Sequence, residues 1–70
     1  MIFNNALFEY EMKIRDISMD DMRTALNLSR SAFYRKRNGL SEFTQSELQT
    51  IGQVLGQDAV IRIFFATEVS

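Results

Sequence analysis

Residues 18–39 read SMDDMRTALNLSRSAFYRKRNG, and the punctuation in this stretch decides the fold. Ser18 followed by Asp21 is a capping-box arrangement, with Asp in place of the usual Glu. Ile17 before the cap and Met22 after it form a hydrophobic staple, and the pattern predicts a helix over 19–26. Asn27 sits where that helix must stop, because Asn tolerates the left-handed conformation better than most non-glycine residues. Ser29 is a second cap, with Leu28 and Phe33 as its staple pair, and it predicts a helix over 30–37 that stops at Asn38-Gly39. Only Asn27 and Leu28 separate the first of these helices from the Ser29 cap.

Outward from this pair, Phe3, Leu7, Tyr10, Ile14 and Ile17 recur at spacings of 4, 3, 4 and 3. This is one stripe of an amphipathic helix, placed at 5–16. On the other side, Thr44 with Glu47 makes a full capping box, and Phe43 with Leu48 makes its staple. Leu48, Ile51 and Leu55 form the inward stripe of the helix that follows, and Gly56 closes it. Asp58 is placed to cap a fifth short helix carrying Val60, Ile61, Phe64 and Phe65. A strand is the alternative there, because the segment is rich in β-branched and aromatic residues. No repeat, linker or low-complexity stretch interrupts the chain. The expectation is a single domain over 1–70, an all-α bundle of five short helices.

The 70-residue composition narrows the chemistry. Hydrophobic residues make up 46 %, six of them Phe, enough for a core. A chain of this size buries only about 60 % of its unfolded surface, which argues against an elaborate catalytic cleft. There is no Cys and no His, so disulfides, thiolate zinc sites and imidazole bases are all excluded. There is no glycine-rich phosphate loop either. Asp20 and Asp21 are adjacent, but Asp21 is needed at the cap and the pair reads as solvated. The expectation is no enzyme, no metal and no cofactor. No apolar run approaches the roughly 20 residues of a membrane span, and the polar, acidic residues 4–11 do not read as a signal peptide. The absence of cysteine suits a reducing cytoplasm.

The net charge of −1 hides an asymmetry. Residues 29–39 hold four of the eight basic residues, Arg30, Arg35, Lys36 and Arg37, and no acid. On a helical wheel Ala32, Phe33 and Lys36 point one way, whereas Arg30, Ser31, Tyr34, Arg35 and Asn38 share the other face. Arginine can read guanine through two parallel hydrogen bonds and asparagine can read adenine. Serine and tyrosine can bond phosphates or base edges. A short helix entered through a tight turn from another short helix has the geometry that enters a major groove. Blander readings stand beside this one. Basic helix faces are usually just solvated. The Tyr34 ring can pack on a neighbour, and Arg30 and Arg35 can pair with Asp20 or Asp21 to little effect on stability.

The run over 18–39, with LSRSAFYRKRNG at its centre and SEFT following at 41–44, resembles the helix–turn–helix family of phage Cro proteins and repressors, also called XRE-like. The resemblance covers residues 18–55 well and both ends weakly. It implies a lambda-repressor-like five-helix bundle that acts in the bacterial cytoplasm, at the nucleoid. It also implies a homodimer on a near-palindromic operator in double-stranded DNA. By position, Arg30, Ser31, Tyr34 and Arg35 lie where the family reads bases. Ser18 and Met19 lie where amide groups face a phosphate, and Asn38 and the loop to Thr44 lie along the other flank of the backbone contact. Lys36 and Arg37 are expected to supply salt-dependent phosphate contacts. The chain departs from the pattern at Arg23 (usually a small Ala), Asn27 (usually Gly), Leu40 (often basic) and Lys36-Arg37 (usually with an apolar residue).

Two further expectations concern partners. Ile61, Ile63, Phe64 and Phe65 carry more apolar area than a short closing helix requires, which points to a dimer contact. The alternative is that they cover the first helix. The rival function is a protein-interaction module whose helix pair binds another protein and no DNA, motivated by the acidic balance and by Arg23 and Lys36.

Overall fold

A computed structural model of the chain describes residues 3–65. Five α-helices follow one another: α1 (Asn5–Ile14), α2 (Met19–Leu26), α3 (Arg30–Arg37), α4 (Gln45–Leu55) and α5 (Gln57–Val60), the last running on into a π-helical turn, Ile61–Phe65. The described residues contain no strand, and none of their helices is long and apolar enough to cross a membrane.

The starts of α1 to α4 are each set by a side chain. Asn4, Ser18, Ser29 and Thr44 accept hydrogen bonds from the amides of Leu7, Asp21, Ala32 and Glu47, which removes one orphan donor from each helix. Only Thr44 completes the reciprocal box, with the Glu47 carboxylate accepting from the Thr44 amide at 2.8 Å. The first three ends share one device. Asp16 (φ 58°), Asn27 (φ 59°) and Gly39 (φ 78°) adopt the left-handed conformation. The amide after each then reaches back to a carbonyl of the last turn: Ile17 to Met12, Leu28 to Arg23 and Leu40 to Arg35. Three consecutive helices therefore stop within a residue or two of their last turn, and the links between them stay tight.

The core is built from Phe8 and Met12 of α1, Met22 and Leu26 of α2, Phe33 of α3, Phe43, Ile51 and Leu55 around α4, and Ala59, Val60, Ile63 and Phe64 at the end. Phe3, half-buried, packs onto this core from its margin, with ring centroids 5.0–5.1 Å from those of Phe8, Phe43 and Phe64. Phe8 meets Phe33 edge-on at 6.2 Å, and Phe43 meets Phe64 at 5.4 Å and 90°. These arrangements suit the ring quadrupoles. They tie the start of the chain to α3 and to the final turn.

Four expectations from the sequence need correction. α1 ends at Ile14, not Asp16, because Asp16 has turned left-handed. Its inward line runs through Phe8, Glu11 and Met12. Phe3, Leu7 and Ile17 of the expected stripe pack at the margin of the core, but Tyr10 and Ile14 are more than half exposed. At 3.6 residues per turn Tyr10 lies roughly 160° from Phe8. Third, Asp58 caps nothing. Gly56, at φ 100°, both ends α4 and starts α5, leaving Asp58 inside the first turn. Fourth, the apolar run is not all surface: the final segment is the expected helix and not the alternative strand, with Ala59, Val60, Ile63 and Phe64 buried while Ile61, Arg62 and Phe65 are exposed, a spacing of three to four that an alternating strand does not give. Ile63 and Phe64, expected at a dimer contact, therefore belong to the core of this chain.

Two polar devices lock the helices. Arg23 donates to the Leu28 carbonyl at 3.0 Å and pairs with Asp20 at 3.4 Å, and so bridges the α2–α3 link. Glu11 is the buried charged residue of the core, 3 % exposed. Its carboxylate accepts from Arg15 at 2.6 Å and from Arg62 at 2.8 and 3.1 Å. The hydrogen bonds from Arg15 and then Arg62 hold its carboxyl below the ordinary carboxylate range, against the opposing effect of burial. Because the folded-state value is depressed, this stabilisation is present above the unfolded-state pKa and is lost as the pH falls through the folded one. Glu11→Gln should lower stability at neutral pH by about 2 kcal/mol. In urea titrations the gap between parent and variant should narrow as the pH drops below about 4.5, the unperturbed carboxyl value. A gap that does not change with pH would contradict the assignment.

Candidate nucleic-acid interface

The site is built on α3, whose sequence RSAFYRKR buries a single side chain, Phe33. With Ser29 capping one end and Gly39 turning the chain at the other, the rest of the helix is left to polar residues. Arg30, Ser31, Tyr34, Arg35 and Asn38 are exposed. The Tyr34 ring is 61 % exposed, which answers the packing alternative for it. Asn38 donates its amide to the Tyr34 carbonyl at 2.8 Å, so one of its donors is committed to ending the helix.

The guanidiniums of this face differ in freedom. Arg30 lies 3.9 Å from Asp20, with both side chains largely in water, a pairing that contributes little. Arg35 forms no ion pair with any described residue. The face therefore presents two cationic forks, a hydroxyl, a phenol and a partly committed amide.

Lys36 and Arg37 are placed differently. The Lys36 ammonium meets the Glu47 carboxylate at 2.6 Å, with both side chains nearly buried (14 % and 12 % exposed). The same Glu47 oxygen takes the Thr44 amide. Burial works against ionisation of Glu47, but the hydrogen bonds from Lys36 and Thr44 outweigh it and hold the carboxyl below its usual range. Arg37 reaches the other way, to Glu9 at 2.6 Å and to the Asn5 side chain at 3.0 Å on α1. Neither cation shares the outward face with Arg30 and Arg35. Glu9, Asn5 and Glu47 are thus part of the site's support, and local spacing could not have revealed the first two, which lie 28 and 32 residues from Arg37 in sequence.

The remaining predicted contacts are spread around this helix. Thr44, exposed at the start of α4, has its amide and hydroxyl oxygen engaged in the capping box. Ser18 and Met19 open α2, where first-turn amides have no partner within the helix. They line a shallow groove of about 420 Å³ together with Lys13, Glu9, Asp16 and Asp21. One cation against three carboxylates makes this groove acidic, apart from the neutralisation of Glu9 by Arg37. Leu40, just past α3, is 69 % exposed.

Comparisons with models of protein families, with curated proteins and with solved structures find no match to the chain.

Proposed function

We propose that the chain is a sequence-specific DNA-binding transcriptional regulator of bacterial or phage origin that lays α3 along the major groove. The observation that carries this reading is the outward face of α3. It presents Arg30, Ser31, Tyr34 and Arg35 to solvent without an acidic residue on the helix, while one phenylalanine anchors it from behind. Arg35, with no internal partner among the described residues, is the side chain best able to give two parallel hydrogen bonds to guanine. Arg30 stands in the first turn, where base edges are reached soonest. The resemblance of residues 18–55 to phage Cro proteins and repressors supports the same reading.

Few cations are left for phosphates. Among the described residues, six of the eight basic side chains stand in internal ion pairs, and Lys13 and Arg35 do not. A monomer so poor in free charge has little sequence-independent affinity. A dimer doubles the contacts and fixes two half-sites about 34–36 Å apart. The surface for that dimer is not the one expected from the whole apolar run. Ile61 and Phe65 are each 54 % exposed and remain available, whereas Ile63 and Phe64 are not. Tyr10 and Ile14 flank Glu11 on α1, which the Glu11–Arg62 pair joins to this turn.

The rival reading, a module that binds another protein, draws on the scarcity of free cations and on the exposed Leu40 beside α3. Salt separates the two. DNA affinity should fall steeply between low and moderate salt, and an apolar protein contact should not. Within the DNA reading, Arg35→Ala should cost about 1–3 kcal/mol on the best site and relax one base position. A variant that binds all sequences as the parent does would remove that role. Sedimentation should give twice the chain mass, and Phe65→Asp should halve it with the helical circular dichroism retained. A parent that sediments as a monomer at every concentration rules out the dimer.

A further inference from the structure

We infer that Lys36 and Arg37 are positioning residues which clamp α3 between α4 and α1 and make no contact with phosphate. The inference rests on the DNA reading of the outer face and concerns how that face is aimed. Relative to Phe33 at 100° per residue, Lys36 lies about 60° to one side and Arg37 about 40° to the other. Their partners sit on different helices: Glu47 in the first turn of α4, and Glu9 with Asn5 on α1. Both ion pairs close to 2.6 Å. The Lys36 ammonium also lies 5.9 Å from the Phe43 ring centroid and the Arg37 guanidinium 5.5 Å from that of Phe33, so both stems run along core rings.

A lone buried ring fixes the depth of a helix but not its rotation. Side-chain tips stand about 5–6 Å from a helix axis, so a rotation of roughly 10° moves them by about 1 Å, enough to spoil a bidentate hydrogen bond at 2.7–3.2 Å. Two opposed ion pairs that flank Phe33 remove that rotation. The alternative, Lys36 swinging out to a phosphate, leaves the carboxylate of Glu47 nearly buried without its cation, which is a strongly unfavourable state. Arg37 leaving for phosphate likewise abandons two polar contacts on α1 and the face of Phe33. The clamp also explains how α3 accommodates two adjacent cations beside its one buried ring: the cations perform the packing.

The test uses the full chain. Arg37→Glu and Glu9→Arg are made singly and together, with Lys36→Met beside them, and binding to the best duplex selected by the parent is titrated across salt concentrations. Each single reversal should weaken binding roughly tenfold, and the double reversal should recover most of the loss, as expected of an interaction between the two side chains. A glutamate at position 37 facing phosphate cannot be rescued in that way. Lys36→Met should weaken binding with the salt slope unchanged, whereas loss of a phosphate contact reduces it by about one. A double reversal as weak as Arg37→Glu, or a reduced slope in Lys36→Met, overturns the clamp. Thermal unfolding of the same variants without DNA reads the clamp by itself. Recovery of Tm in the double reversal supports it and no recovery refutes it, even if the parent binds no duplex and the DNA reading fails.

Discussion

Phe33 is the constraint on which the rest depends. It is the one core residue that α3 owns, and its ring meets Phe8 within a cluster that also holds Phe3, Phe43 and Phe64. A helix of eight residues has little intrinsic stability in water. This one also has no apolar stripe to compensate, so its existence is tertiary: two caps, one ring and the ion pairs beside that ring. Because so little of α3 is used to hold it, nearly all of its outer surface is free to carry chemistry. The same economy makes the orientation of that surface vulnerable, and for this reason the charged residues flanking Phe33 matter more than their number suggests.

The charges of this chain are largely structural. Glu11 gathers Arg15 and Arg62, and so fastens α1 to the final turn. Asp20 and Arg23 sit astride the α2–α3 link, with Arg23 on the Leu28 carbonyl. Glu47 and Glu9 hold α3 from two sides. A buried carboxylate between two guanidiniums specifies one docking of helices more sharply than it stabilises it, since desolvation offsets much of the attraction. Among the described residues this arrangement leaves two basic side chains outside ion pairs, Lys13 on α1 and Arg35 on α3, and Arg35 together with the loosely paired Arg30 makes the outer face of α3 the cationic one.

Much of the fold was legible because it is written in local chemistry. Ser18, Ser29 and Thr44 mark helix starts, and Asn27, Gly39 and Gly56 mark stops, through hydrogen bonds that span three to six residues. The outward set on α3 followed from the wheel for the same reason. What could not be read depends on distant residues. The phase of α1 was misjudged because Glu11 occupies a core position, which Arg15 and Arg62, the latter 51 residues away, together make tolerable. Lys36 and Arg37 looked free because their partners come from α4 and α1. Ile63 and Phe64 looked surplus because the core they fill is assembled from both ends of the chain. Asp16 gave no clear stop signal, as aspartate in the left-handed region is less common than glycine or asparagine.

The central claim is that the outer face of α3 reads DNA sequence. The most direct test is selection of bound duplexes from a random pool by the full chain, at low and at moderate salt. The account predicts enrichment of a two-fold related site with guanines facing Arg30 or Arg35, and affinity that declines as salt rises. Recovery of nothing above background at either salt would contradict it and leave the folded bundle in search of a protein partner.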